Sequence, residues 1–207
     1  MLPTEILRHE HDVVLQMLDA AEHQADLIES TGTVDVVFIQ QFVDFAAHFA
    51  DGCHHLKEER HLFPALAAEG LTPEAGPVAV MLAEHERGRS LVAGLRRDVQ
   101  AYSEGSRDTA KSLRENLHAY IQLLRQHIWK ENNVLFPMAD RLLPPDTQAR
   151  LAEAFEHVEK EELGDGIHER LEQNGERPCR RAPRPYVTPG GVPCVKGDVS
   201  WGTPMPG

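Results

Sequence analysis

Cysteine is scarce in this chain. Cys53, Cys179 and Cys194 are the only three in 207 residues, too few for a disulfide framework and too scattered for a structural zinc knot. Positive charge is also in deficit. Lysine and arginine total 21 against 33 acids, for a net charge of −12. Such a surface repels nucleic acid and anionic membranes, so neither is an expected partner. No apolar run is long enough to span a bilayer. The N-terminus, MLPTEILRHEHD, turns acidic within a few residues and has no apolar signal core. A reducing cytoplasm is therefore the expected location. What the chain does have is histidine, twelve residues and several of them clustered, together with 41% hydrophobic residues, enough for one filled core.

Helical periodicity runs through the first 163 residues. A first helix is expected from Thr4, as its cap, to Ser30, with Leu7, Val14, Leu18, Ala25 and Ile28 facing inward and Gly32 ending it. A second runs from Asp35 to Glu69 on a Phe38, Phe42, Phe45, Phe49 stripe, up to Gly70. Pro77 opens a third that ends near Ser103. A fourth spans Asp108 to Leu143, and Asp146 caps a shorter fifth reaching Leu163. Short connectors return each helix beside the last, so the fold is all-α: an up-down-up-down four-helix bundle with a short fifth helix outside. The bundle is expected to occupy residues 1–165. Residues 166–207 form a Pro/Gly-rich C-terminal tail; from 174 onward it holds seven prolines and six glycines, and it reads as extended or disordered.

One motif occurs twice. HHLKEERHLFP, residues 54 to 64, returns as HIWKENNVLFP, residues 127 to 137, with His, Lys, Glu, Leu, Phe and Pro identical. His11 in ILRHEHDVV and His85 in MLAEHERGR are similarly offset, and each is flanked by acids. The chain reads as two related helix hairpins, each giving one His and then one His-x-x-x-Glu. In the first hairpin about 19 residues separate each motif from the turn, and about 18 in the second, so at ~1.5 Å per residue all the motifs reach one level. Carboxylates buried among imidazoles in an apolar bundle are costly without a cation. Four imidazoles and two carboxylates exceed one tetrahedral site and suit two metals, with iron, manganese or zinc favoured by the donor set.

These segments resemble the hemerythrin-like (HHE cation-binding) family over roughly residues 4 to 163, and HIWKENNVLFP is similar to the second motif of the related iron-centre repair proteins. The resemblance implies two non-haem iron ions bridged by Glu58, Glu131 and a solvent oxygen, with His11, His54, His85 and His127 as terminal ligands. Oxygen-carrying members use a fifth histidine, which AEHERGR does not supply; this implies a more open or oxygen-rich iron. The implied function is binding of, or reaction with, a small ligand (oxygen, nitric oxide or hydrogen peroxide) in sensing, scavenging or peroxide decomposition. Iron sensing, storage or delivery without catalysis is the alternative, with the tail binding a partner protein. The repair proteins' N-terminal cysteine-bearing domain has no counterpart in these residues.

The second helix raises a register problem. On an unbroken wheel its phenylalanine stripe points more than roughly 90° from His54 and Glu58, while His55 and Glu59 lie nearer. Aligning the two motifs selects His54 and Glu58, with a π-bulge near Gly52 or Pro64 to reconcile the register. His55 and Glu59 stay in reserve, as direct ligands or as hydrogen-bond partners of a ligand imidazole. Trp129 is expected to wall the site or pack in the core. Leu-Phe-Pro is expected to end and cover the bundle, and Cys53 to be a buried inert thiol. His168 stands as a remote extra ligand. His9, His23, His48, His61, His118 and His157 read as surface or rim.

Overall fold

The structure, a computed structural model, describes residues 1–162. The proposed boundary at 165, the tail, His168, Cys179 and Cys194 lie outside the described residues. Those described form an all-α helical bundle without strands. Its five rods begin with α1, Pro3–Thr31. The second rod is composite: α2, Val36–Phe45, two π-helical stretches, Ala46–His55 and Glu58–Leu62, and α3, Phe63–Ala68. The third is α4, Gly76–Ser103. The fourth runs as α5, Thr109–Lys130, a π-helical turn Glu131–Leu135, and α6, Phe136–Leu142. The fifth, α7, is Pro145–Glu162.

Caps set these limits. Gly32 takes the left-handed conformation, φ 68°, that closes α1. Asp35 caps α2 by accepting the Phe38 N–H at 3.0 Å. Thr4 does not cap α1 as expected. The helix starts one residue earlier, behind Leu2, and the Thr4 hydroxyl donates to Asp140 at 2.6 Å.

In the bundle, α4 and α5 pack along most of their length, α1 lies against α5, and α2 lies against α4. Helix α7 covers α1 and the π-helical part of the second rod. Two apolar clusters fill the interior. The larger holds the Phe38, Phe42, Phe45 and Phe49 stripe with Leu18, Leu95, Leu117 and Ile121. The smaller holds Leu7, Leu62, Met81, Phe136 and Phe155. Along every long rod the candidate ligands fall between them: His11 between Leu7 and Val14, His85 between Met81 and Val92. The polar residues thus form a layer sealed on both sides by hydrocarbon.

The two short π turns, Glu58–Leu62 and Glu131–Leu135, have a local cause. Pro64 and Pro137 each sit in the first turn of an α segment that follows a π stretch. Proline has no N–H to give and its ring collides with the carbonyl four residues back. The chain answers with i→i+5 bonding: Phe63 donates to the Glu58 carbonyl, and Phe136 to that of Glu131. The helix therefore continues through each Leu-Phe-Pro instead of ending there. Leu62, Phe63, Leu135 and Phe136 pack in the smaller cluster.

Candidate metal centre

All six residues singled out in the sequence lie in one layer, and all are at most 2% exposed. The imidazoles form two pairs, one from each hairpin. His11 and His54 place their Nε2 atoms 3.0 Å apart, and His85 and His127 place theirs 3.2 Å apart. The carboxylates lie across the pairs. Glu58 Oε1 is 3.8 Å from His54 Nε2, and its Oε2 is 3.4 Å from His85 Nε2. Glu131 Oε2 is 3.1 Å from His11 Nε2, and its Oε1 is 3.2 Å from His127 Nε2. Each carboxylate thus turns one oxygen to each pair.

The other ring nitrogens fix the tautomers. Every Nδ1 faces an acceptor: His11 the Asn132 side-chain oxygen at 2.9 Å, His54 Glu10 at 2.9 Å, His85 Glu59 at 2.7 Å, His127 Glu84 at 3.0 Å. An acceptor there requires the proton on Nδ1, which leaves the Nε2 lone pairs pointing inward. The four carboxylate oxygens of Glu58 and Glu131 are buried without a hydrogen-bond partner. Converging lone pairs and orphaned buried carboxylates repel one another unless a cation or protons stand between them. The donor set fits a pair of first-row metal ions.

Protonation in the metal-free protein follows the same geometry. Burial and the neighbouring Glu131 push the Glu58 carboxyl well above its ordinary range. Burial also opposes ionisation of Glu131, but His127 and His11 outweigh it and hold that carboxyl low. Burial works against the charged form of His127 too, yet Glu131 and Glu84 raise it to about 9. Burial and the adjacent His11 depress His54 to about 4.

His55 and Glu59 resolve into different roles. Glu59 supports His85 through Nδ1. His55, only 4% exposed, stacks on His85 with ring centroids 3.8 Å apart and an interplanar angle of 14°. Its Nδ1 is held by Asp51 at 3.2 Å, and it groups with His85 and His127 at ligand spacing. A fifth imidazole thus stands beside the four, on the second rod. The π stretch Ala46–His55 is what turns two consecutive histidines inward, as both are buried.

The sequence reading missed the supports of these rings, although their signals were present. Glu10 and Glu84 are the acids immediately before His11 and His85, and each holds the histidine of the partner helix in its own hairpin. The lysine repeated in both motifs completes each half: Lys57 contacts Glu10 and Lys130 contacts Glu84. The halves differ in depth. Lys57 is fully buried under α7, also pairing with Glu159 at 2.6 Å, whereas Lys130 is 30% exposed. Lys57→Met is therefore expected to cost about 3–5 kcal/mol by stranding Glu10, and Lys130→Met about 1 kcal/mol or less. Urea unfolding of the two variants checks the contrast.

Other expectations fare unevenly. Trp129 neither walls the site nor packs in the core; it is 61% exposed on the outer face of α5. Cys53 is fully buried, and burial with the nearby Glu10 pushes its thiol up to about 12, which keeps it protonated and inert. His9, His23, His48, His61, His118 and His157 are exposed or half-buried.

Comparison with known proteins agrees with this arrangement. Uncharacterised proteins of Mycobacterium bovis and Mycobacterium tuberculosis are 24% identical over 166 residues, 79% of this chain and 63% of theirs. The iron-sulfur cluster repair protein YtfE of Dickeya chrysanthemi is 37% identical over 91 residues, 42% of this chain and 41% of its own. The chain therefore spans less than two thirds of the mycobacterial relatives and under half of YtfE. No solved structure matches, and no helix among the described residues is long and apolar enough to cross a membrane. Residues 2–139 match the family described as Hemerythrin HHE cation binding domain, and with two thirds of its length inside that match the chain belongs to this family of metal-binding, hemerythrin-like proteins.

Proposed function

We propose that the protein holds two iron ions and meets a small ligand there: oxygen, nitric oxide or hydrogen peroxide. One observation carries the reading. Two partnerless buried carboxylates each span two imidazole pairs whose lone pairs point inward. His11 and His54 would hold one ion, His85 and His127 the other, with Glu58 and Glu131 between them and His55 beside the second. Two irons would supply adjacent redox-active positions for a diatomic or peroxide. The chain's own contribution is to fix each ring through Nδ1, to raise its basicity through a carboxylate in four of the five cases, and to keep bulk water out with hydrocarbon on both sides.

Sensing, scavenging and peroxide decomposition share this geometry. Iron-loaded protein given oxygen, nitric oxide and peroxide in turn separates them by absorption and by oxygen release; no spectral change with any of the three overturns the reading. A second reading, delivery of iron without catalysis, is favoured by the similarity to proteins named for iron-sulfur cluster repair. It predicts instead that bound iron passes to an apo-protein.

Loading must expel the protons that occupy the site. His127, held to about 9, carries its extra proton at neutral pH in the metal-free protein, and burial with Glu131 pushes the Glu58 carboxyl up. The His127 proton should leave on loading, and affinity should rise with pH up to about 9. Titration with ferrous iron in weak buffer measures the release. Because the pKa of His127 is raised, its proton is fully present below that value, so lowering the pH weakens metal binding.

A further inference from the structure

A cleft of about 160 Å³ lies between the π stretch Ala46–His55 and α4 and reaches inward to His55. Burial increases along it. Ala93 and Arg96 are exposed, Ala47 and Arg89 half-buried, and Ala46, Gly88, Val92, Tyr120 and His55 buried. A water occupies ≈ 30 Å³, so the space admits several small molecules; it is too small for a drug-sized ligand. Tyr120, 3% exposed, is part of its buried lining.

Where the cleft meets the metal layer stands His55. It lies flat on His85 and is tethered through Nδ1 to Asp51. Arg89 grips Asp51 at 2.9 and 3.1 Å and Glu59 at 2.7 Å, so one guanidinium anchors the supports of both stacked rings. Arg89 is matched by these carboxylates and by Glu86 at 2.6 Å, and Arg96 adds a positive charge nearer the mouth. With no free carboxylate in the lining, the cleft suits a small neutral or anionic molecule better than a metal cation.

We propose that this cleft is the way in for the small ligand, with His55 as the side chain it must pass to reach the iron pair. The inference rests on the dinuclear reading above. It also makes the route one-sided: in the second hairpin Ile128 stands where the first has His55, and is buried in the core, so ligands arrive on the flank of His85.

Ala47→Phe tests the route. Ala47 is half-buried and lines the cleft, so a larger ring can fill the cleft while resting against solvent. Val80→Phe, at a residue 45% exposed and away from the lining, is the control. In iron-loaded protein, azide association and dissociation followed by stopped-flow absorbance should both slow at least about tenfold in Ala47→Phe, with the dissociation constant and iron content unchanged, because a narrowed path alters rates and not end states. In metal-free crystals under xenon, gas should occupy the cleft of the parent protein and be absent from the variant. Unchanged azide rates with xenon excluded would overturn the route while leaving the metal reading intact. A parent protein that takes up no iron would overturn both.

Discussion

Glu131→Ala is expected to lose most of its bound iron. Glu131 turns one oxygen to His11 and the other to His127, so deleting its carboxylate removes a donor from both proposed ions at once. Losing a residue that merely supports a ligand typically costs 10–100-fold in affinity; loss of a donor shared by two ions should exceed about 100-fold. Elemental analysis after desalting is the direct measurement. The fold should survive, because His127, no longer raised by Glu131, can shed its proton and sit neutral in the layer. Retention of two irons per chain in Glu131→Ala would remove the carboxylate from the site and with it the bridged arrangement. Asn132→Ala gives the graded comparison. It removes the Nδ1 acceptor of His11, together with a longer contact from Arg8, and should weaken binding by about 10-fold, with the ions still present.

Stripping the metal is expected to lower thermal stability by a wide margin. Five imidazoles and two carboxylates, none more than 4% exposed, then share one layer with only protons to keep them apart. A ligand that binds the native state alone stabilises it by about 4 kcal/mol at a thousand-fold excess over its dissociation constant. In a domain of this size each kcal/mol moves the midpoint by ≈ 2–4 °C, so iron should raise the melting temperature by roughly 10 °C or more. Calorimetry of iron-loaded and chelator-treated protein at one concentration measures this. Equal midpoints would mean that the layer is satisfied without metal. Acid should act through an overlapping set. Burial alone would raise Asp51, but hydrogen bonds from His55 and Arg89 hold it at about 2. Its contribution is present above its unfolded value, near 3.9, and is lost as the pH falls through about 2.

Much of this site is legible in the sequence because its signals are local and repeated. His-x-x-x-Glu places two donors one turn apart on whatever face the helix offers, and a second copy shows that the spacing is not chance. The fifth imidazole was harder. A wheel drawn at a constant angle placed His55 nearer the apolar stripe while the motif alignment chose His54, and the structure turns both inward because the backbone between Ala46 and His55 is π-helical. The fourth rod read as regular, yet it carries a π turn, Glu131–Leu135, that matches Glu58–Leu62 of the second rod. The cause, a proline following Leu-Phe, was visible in both motifs, but its effect on register depends on which hydrogen bonds the packed helix can keep.

The amino-acid sequence by itself determined an all-helical chain built from two like hairpins, and which acids and imidazoles meet at one height. Periodicity and helical rise depend only on neighbours along the chain, and residue order records them directly. Only the tertiary structure decided which nitrogen of each ring faces inward, that Glu10 and Glu84 clasp the partner helix of their own hairpin, that Lys57 is sealed under α7 while its twin is half in water, and that a cleft runs to His55. Each of these depends on side chains from separate rods approaching within hydrogen-bond distance, a matter of how the bundle closes that no local pattern encodes.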